Sequence, residues 1–211
     1  PKLAGLVERG FRAGMVRLPI IEACAQPIGP DPVGCERFAL DRFRAALANA
    51  EAEPVTVVHL SDSLISSDLI SSTTRSRLQS VFGDGGRGLL YVDGPTRYPG
   101  QLRRAGKASP GWLIESLAGP HAADLRYGMN GAVYVDAKGG QQVDFELRGS
   151  RLVDLHFNRT HGGGSLHLTV DGAELADVDT AGEPGIDFAR LELPRGSQWL
   201  RLKAQGPVRL H

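Results

Sequence analysis

The sequence predicts an α/β segment followed by an all-β domain, and two changes of pattern along the chain support this fold class. In residues 1–121, apolar residues recur at helical spacing on both sides of a short apolar run, which gives the helix, strand, helix order of α/β proteins. From residue 122 onward, apolar and polar residues alternate, and Pro and Gly separate the alternating runs. Short alternating strands are typical of a β-sandwich or jelly roll. We therefore predict an incomplete α/β sandwich over 1–121 and a β-sandwich over 122–211.

Three elements make up the predicted α/β segment. Residues 35–50 place apolar side chains three or four positions apart, which predicts an amphipathic helix. The run at 55–60 is almost continuously apolar, as in a parallel strand covered on both faces. A second helix is predicted over 66–82, and the Gly-rich sequence at 83–86 is expected to end it. The rest of the segment is predicted to be irregular, apart from a short helix at Trp112–Leu117.

Two-residue alternation of apolar side chains defines the predicted β-sandwich. Val143, Phe145 and Leu147 form one such run, with polar residues between them. Asp171 and Gly172 separate two later runs, and this residue pair favours a two-residue hairpin turn with positive φ angles. The other predicted strands lie around 153–157, 166–170, 175–178, 191–193, 200–202 and 208–210.

Composition and charge exclude some classes of partner. The chain has 211 residues, and its 24 Lys and Arg residues equal its 24 Asp and Glu residues, with no run of five like charges. Binders of nucleic acid or of anionic membranes usually carry a clear basic excess, so neither partner is expected. No apolar stretch approaches the ~18 residues of a membrane span. With 41% hydrophobic residues, the chain can supply a substantial apolar core.

The two cysteines, Cys24 and Cys35, lie in the Pro- and Gly-rich stretch ACAQPIGPDPVGCE. A disulfide between them would close a loop of roughly 12 residues, which the chain-entropy model credits with about 3 kcal/mol. We predict this bridge, and with it an oxidising compartment. The alternative is a pair of unrelated buried thiols in a cytosolic protein. A zinc site is not expected, because no Cys or His residues flank them at zinc-ligand spacing.

The stretch VTVVHLSDSLISSD, residues 55–68, places serines where the predicted strand meets the predicted helix. Open α/β sheets bind ligands at this point, because free N–H groups at a helix N-terminus can stabilise an oxyanion. Ser63 is therefore a candidate nucleophile. The alternative is that Ser61, Asp62 and Ser63 simply cap the helix, as Ser and Asp commonly do.

Residues 36–98, with the run HLSDSLISSDLISSTTRSRLQSVFGDGGRGLLYV, resemble the first block of SGNH (GDSL-type) hydrolases of the bacterial envelope. Region 122–211, with HGGGSLHLTVDG and LPRGSQWLRLKAQGPVRLH, is similar to the carbohydrate-binding-like β-domain inserted in peptidoglycan and polysaccharide O-acetyl esterases of that branch. The resemblance implies that Ser63 is the nucleophile, with its backbone N–H as an oxyanion donor, and that Asp62 shapes the tight turn. It further implies an acetylated glycan or peptidoglycan as substrate, no cofactor, and a periplasmic, envelope or secreted location.

Two departures from the family pattern shape the functional prediction. Ser61 occupies the position of the family's glycine, and the Asp-x-x-His arrangement that supplies the catalytic base occurs nowhere in these 211 residues. A single parallel strand also lacks the neighbours that a sheet requires. We therefore expect the missing strands and the His/Asp pair to lie outside this chain, as a C-terminal remainder or a separate polypeptide, and the chain alone to be inactive. The alternative is a non-catalytic relative that binds carbohydrate or serves in assembly.

Two further groups of residues are candidates for binding. An aromatic side chain can stack on the apolar face of a sugar ring, whereas oxygen-rich clusters bind calcium in some carbohydrate-binding sandwiches. The aromatic candidates are Trp112, Tyr127 and Trp199, and the calcium candidates are Asp171, Asp177 and Asp179.

Overall fold

The computed structural model describes residues 24–27, 35–38, 40–60, 65, 68–94, 105–148 and 150–211. The chain divides into two compact units. The first comprises Pro1–Leu60 and Ile70–Gly85, and the second comprises Ser61–Leu69 and Gly86–His211.

The first unit contains a two-stranded antiparallel sheet, one complete helix and all but the first residue of a second helix. Strand β1 (Cys24–Pro27) pairs with β2 (Cys35–Phe38). Helix α1 spans Asp41–Ala48, and helix α2 spans Leu69–Phe82. Gly83 adopts a φ of 97° directly after α2, and its N–H donates to the carbonyl oxygen of Gln79 at 3.0 Å. The predicted glycine stop at the end of the second helix is thus confirmed.

Two predictions for this unit are wrong. The helix predicted over 35–50 begins only at Asp41, because Cys35–Phe38 pairs with β1 and satisfies its backbone groups as a strand. The strand predicted over 55–60 does not form, since these residues have no strand partner among the described residues. Their apolar side chains are instead open to solvent, with Val57, Val58 and Leu60 exposed by 51%, 53% and 84%.

The second unit is a β-sandwich of two five-stranded sheets. Its strands are β3 (Lys107–Ala108), β4 (Leu113–Ser116), β5 (Ala132–Asp136), β6 (Gln142–Glu146), β7 (Leu152–Arg159), β8 (Ser165–Val170), β9 (Ala173–Asp179), β10 (Gly185–Glu192), β11 (Trp199–Gln205) and β12 (Val208–Leu210). Sheet I has the order β10-β7-β12-β5-β4, and sheet II has the order β3-β6-β11-β8-β9. Neighbouring strands in both sheets are antiparallel. Most connections cross from one sheet to the other, as in a jelly roll, whereas β4–β5 and β8–β9 connect neighbours within a sheet.

The core lies between the two sheets. Tyr134 and Phe157 of sheet I pack in one cluster with Leu168, Leu200 and Leu202 of sheet II, and all five are almost fully buried. Burial alternates along the strands, as in β11, where every second side chain is buried. The alternation that predicted the sandwich thus corresponds to one buried and one outward face in each sheet.

The hairpin turn predicted at Asp171 and Gly172 is confirmed. These residues have φ angles of 49° and 85° and connect β8 to the adjacent strand β9. Two consecutive positive φ angles characterise the type I′ turn that suits the right-handed twist of paired strands.

The segment Trp112–Leu117 is not the predicted short helix. Leu113–Ser116 forms β4, at the edge of sheet I beside β5. Lys107–Ala108 similarly forms β3, at the edge of sheet II beside β6. Strands of the sandwich therefore begin before residue 122, because pairing with an existing sheet determines the conformation of these short segments more strongly than local spacing does.

Candidate functional site

The predicted nucleophile and its neighbours lie outside the described residues. Ser61, Asp62, Ser63 and Leu64 belong to this gap. The roles of Ser63 as nucleophile and of Asp62 in the turn therefore stay predictions.

The cysteine strands pair in a register that separates the two cysteines. Cys24 lies opposite Phe38, and Cys35 lies opposite Pro27. Three residues along a strand correspond to roughly 10 Å, whereas a disulfide needs Cα atoms within about 7 Å. The cysteine side chains are outside the described part of the chain, and the register does not support the predicted bridge.

The three aromatic candidates occupy different environments. Trp112 is buried in the core, where its Nε1–H donates to the carbonyl oxygen of Gln142. Tyr127 is half-buried, and its hydroxyl oxygen accepts from the backbone N–H of Ala122 at 3.0 Å. Trp199 begins the central strand β11 of sheet II and remains 39% exposed. Of the three, Trp199 is the one placed to meet a ligand.

Cross-strand pairing places several charged side chains on the same outer surface as Trp199. Trp199 lies opposite Glu146, and Arg201 lies opposite Asp144. On the other side of β6, Asp144 lies opposite Lys107 of β3. Directly opposite residues in an antiparallel pair point to the same side of the sheet. We call this surface the tryptophan face: the outward side chains Lys107, Asp144, Glu146, Trp199, Arg201 and Lys203, with Arg87 and Arg148 bound to Glu146.

Arg201 and Asp144 form a bidentate ion pair at the centre of the tryptophan face. Arg201 Nε donates to Asp144 Oδ1 at 2.6 Å, and Nη2 donates to Oδ2 at 2.8 Å. The hydrogen bonds from Arg201 are the main reason that the pKa of Asp144 lies below its ordinary value, and the charge of Lys107 lowers it further. This geometry fixes a planar guanidinium beside the indole ring.

Two contacts hold Trp199 itself in place. Lys107 Nζ lies 4.3 Å from the centre of the indole ring, within cation–π distance. The carboxylate of Asp171, in the β8–β9 turn, accepts hydrogen bonds from the backbone N–H groups of Gln198 and Trp199 at 3.1 and 2.9 Å. The start of β11 is therefore tied to the neighbouring hairpin, which limits movement of the ring.

The outer surface of sheet I carries a different set of side chains. His156 and Phe188 stack with ring centres 5.6 Å apart, and Phe188 is exposed. His211 Nε2 lies 2.8 Å from Oδ1 of the buried Asn158. Burial is the main reason that the pKa of His211 falls to about 4, and the nearby charges of His156 and Arg209 also lower it.

The structure does not bring the three calcium candidates together. Asp171 binds backbone N–H groups, Asp177 Oδ1 lies 2.8 Å from His167 Nδ1, and Asp179 accepts from the backbone N–H of Ala181. The described residues contain no group of three or more acidic, His or Cys side chains able to hold a metal ion. The described helices also include none long and apolar enough to cross a membrane.

Sequence reasoning identified Trp199 but missed the charged residues around it. Their signal is the alternation in WLRLKAQ, where Trp199, Arg201 and Lys203 occupy the outward positions of a strand whose inward positions are Leu and Ala. The partners Lys107 and Asp144 could not be found from spacing, because they lie about 60 to 90 residues away and meet β11 only through sheet pairing.

Comparison with known proteins gives no family assignment. No family model matches the sequence, and no curated protein matches it. Among solved structures, the chain is similar to a carbohydrate-binding module, CsCBM6-3, from Clostridium stercorarium in complex with cellobiose, at 13% identity and a TM-score of 0.36, over 49% of this chain and 81% of that one. It is also similar to CBM51 from Clostridium perfringens GH95 in complex with methyl-galactose, at 14% identity and a TM-score of 0.33, over 50% of this chain and 92% of that one. TM-scores this low support no conclusion about function. The description of this unit as a β-sandwich rests instead on its own strand order and on the core between its two sheets.

Proposed function

We propose that this chain is a carbohydrate-binding protein that uses the tryptophan face of its β-sandwich. The observation that supports this most directly is the exposed indole of Trp199 on the central strand of sheet II. An indole offers an apolar surface for the C–H face of a sugar ring, and it loses little conformational freedom on binding. Sugars combine such a face with hydroxyl groups at the ring edge.

The side chains next to Trp199 match those ring-edge hydroxyl groups. Asp144 and Glu146 supply acceptors, while Arg201 and Lys203 supply donors, and all four lie on the same surface as the indole. The Arg201–Asp144 pair is already fixed by its two hydrogen bonds, so little ordering is required when a ligand binds. The face thus offers the apolar and polar components of a glycan site.

The experiment is a binding measurement on immobilised glycans, followed by calorimetry with the best ligand. Trp199→Ala removes the stacking surface and is expected to lower affinity about five- to 100-fold, if a sugar ring gains as much as the about 1–3 kcal/mol that a nucleic-acid base gains by stacking on an aromatic side chain. Phe188→Ala is the matched control, since it removes an exposed aromatic ring from the opposite sheet. Equal binding by the wild type and Trp199→Ala would reject the proposal.

A second candidate is an SGNH-type serine esterase acting on an O-acetylated envelope glycan, with Ser63 as nucleophile. The exposure of Val57, Val58 and Leu60 favours it. An apolar run without a strand partner among the described residues is what an α/β sheet lacking its other strands would leave. The missing strands and the His/Asp pair would come from a C-terminal remainder or a separate polypeptide. In that case the β-sandwich would bind the glycan and thereby bring the esterase part close to its substrate.

Fluorophosphonate labelling tests this second candidate. A complete protein that contains the missing strands is expected to be labelled at Ser63, and Ser63→Ala is expected to abolish both labelling and acetate release. The chain of 211 residues alone is expected to show neither. Labelling that persists in Ser63→Ala would exclude Ser63 as the nucleophile.

The proposed location is the bacterial periplasm, the cell envelope or the exterior, where acetylated glycans are found. The redox state of Cys24 and Cys35 bears on this location, since disulfides persist in oxidising compartments, but the strand register gives no support to a bridge between the two. Alkylation of the protein with and without prior reduction, followed by mass spectrometry, measures the state of both thiols. Two freely alkylated thiols in protein from its native compartment would count against the bridge.

A further inference from the structure

Positive charge predominates on the tryptophan face. Glu146 Oε2 lies 3.1 Å from Arg87 Nη1 and 3.2 Å from Arg148 Nε, so two cations share one carboxylate. Asp144 is similarly placed between the guanidinium of Arg201 and the ammonium of Lys107. Each of these outward carboxylates of β6 thus has two cationic neighbours.

Lys203 adds a further positive charge two residues beyond Arg201 on the same face of β11, and it is exposed. Even without Arg87, the face has four cationic side chains around two carboxylates, an excess of two positive charges within a chain whose formal net charge is zero. Trp199, Arg201 and Lys203 project at successive outward positions, roughly 6.8 Å apart. An aromatic surface is thus continued along the strand by two cations.

The opposite edge of sheet II has the reverse sign. Asp177 and Asp179 project outward from β9, and Glu174 lies opposite Thr169 beside them. The outer surface of sheet II therefore changes from positive near β6 and β11 to negative at β9. An anionic ligand would be attracted to the half around β6 and β11 and repelled from the half at β9.

We propose that the tryptophan face binds an acidic glycan, with a uronic-acid carboxylate held by Lys203 while a neighbouring sugar ring stacks on the exposed part of Trp199 beside Lys107. This inference rests on the proposed function, because it names the class of glycan for the same surface. Arg201 keeps its bond to Asp144 and lies between Trp199 and Lys203 on the outward side of β11. The carboxylate gains charge-assisted hydrogen bonds, which are stronger than those of a neutral hydroxyl group.

The test compares uronic-acid oligosaccharides with their methyl esters, which keep the same sugar rings and linkages but carry no charge. The acid forms are expected to bind about tenfold more tightly than the esters at low ionic strength, in line with a charged hydrogen bond. Raising the salt concentration is expected to weaken binding of the acids and to leave the esters unaffected. Lys203→Gln is expected to remove most of the preference for the acid.

The Lys107→Gln variant distinguishes the contribution of positive charge to binding from the contribution of stacking on Trp199. It removes a cation but uncovers the ring face of Trp199 that Lys107 occupies, so binding of acids is expected to fall while binding of esters stays equal or rises. Arg190→Gln is the matched control, because it removes one exposed cation from the outer surface of sheet I. All variants are compared by thermal unfolding to confirm that they fold.

The outcomes of this test distinguish the two proposals. Equal affinity for acids and esters, with both lost in Trp199→Ala, would overturn the acidic-glycan inference and leave carbohydrate binding intact. A preference for acids that is lost equally in Arg190→Gln would also overturn the inference, because it would then reflect net charge alone. Absence of binding to acids, esters and all other glycans would overturn both.

Discussion

Arg201 and Asp144 face each other across β11 and β6 and are joined by two parallel hydrogen bonds of 2.6 and 2.8 Å. Their pairing on an exposed sheet surface contributes little to stability, since surface ion pairs are typically worth about 0–1 kcal/mol. Its structural effect is to fix the orientation of a guanidinium between the indole of Trp199 and Lys203. The tryptophan face is thereby organised before any ligand arrives.

The pKa of Asp144 should rise when Arg201 is replaced. The hydrogen bonds from Arg201 are the largest cause of its low value, so Arg201→Gln is expected to move the pKa of Asp144 back toward its ordinary value. A carbon-detected NMR titration of the side-chain carboxyl measures this directly. Arg190→Gln, which disrupts the equivalent pair with Asp154 on the other sheet, should shift Asp154 and leave Asp144 unchanged.

Replacing Asp171 should weaken glycan binding because Asp171 positions Trp199, even though Asp171 itself is not expected to contact the ligand. The Asp171 carboxylate accepts from the N–H groups of Gln198 and Trp199, and Asp171→Ala leaves those groups unpaired at the start of β11. Stability is expected to fall by about 1–2 kcal/mol, and affinity is expected to fall less than in Trp199→Ala. Urea unfolding and calorimetry measure the two effects, and unchanged values for both would show that the turn does not position the indole.

The glycines of HGGG should differ sharply in their tolerance of alanine. A Cβ at Gly164 would lie 2.3 Å from the carbonyl oxygen of Gln205, and one at Gly163 would lie 2.4 Å from that of Thr180. Either substitution is expected to cost about 1–3 kcal/mol, because backbone atoms must move. Gly162→Ala is the matched control, since nothing lies within 4 Å of the added carbon. Similar unfolding midpoints for the three variants would contradict the close loop contacts.

Stability should depend on pH through His211. Burial lowers its pKa in the folded state to about 4 from an ordinary value of 6.5, so the unfolded chain takes up a proton first as the pH falls. Stability is therefore expected to decrease between about pH 6.5 and pH 4 and to lose this dependence below that range. Urea unfolding at pH 7 and pH 4.5 tests this, and His211→Gln is expected to reduce the difference. A pKa of His211 near 6.5 by NMR would contradict the buried environment.

The sequence predicted the sandwich better than the α/β segment, and the reason is physical. Alternation at Val143, Phe145 and Leu147 reflects burial on one side of a sheet, and the turn at Asp171 and Gly172 depends on local backbone preference. By contrast, the apolar run at 55–60 could form a strand only beside a partner, and none is present among the described residues. The tryptophan face was predictable at Trp199 alone, since its charges come from strands that are distant in sequence.

The central claim is that Trp199 and the cations beside it form a glycan-binding surface, and calorimetry with a matched acid and ester pair of uronic-acid oligosaccharides tests it most directly. We predict tight binding of the acid, weaker binding of the ester, loss of both in Trp199→Ala, and full retention in Phe188→Ala. Unaltered binding in Trp199→Ala, or loss of binding in Phe188→Ala alone, would place the site elsewhere on the sandwich and contradict the claim.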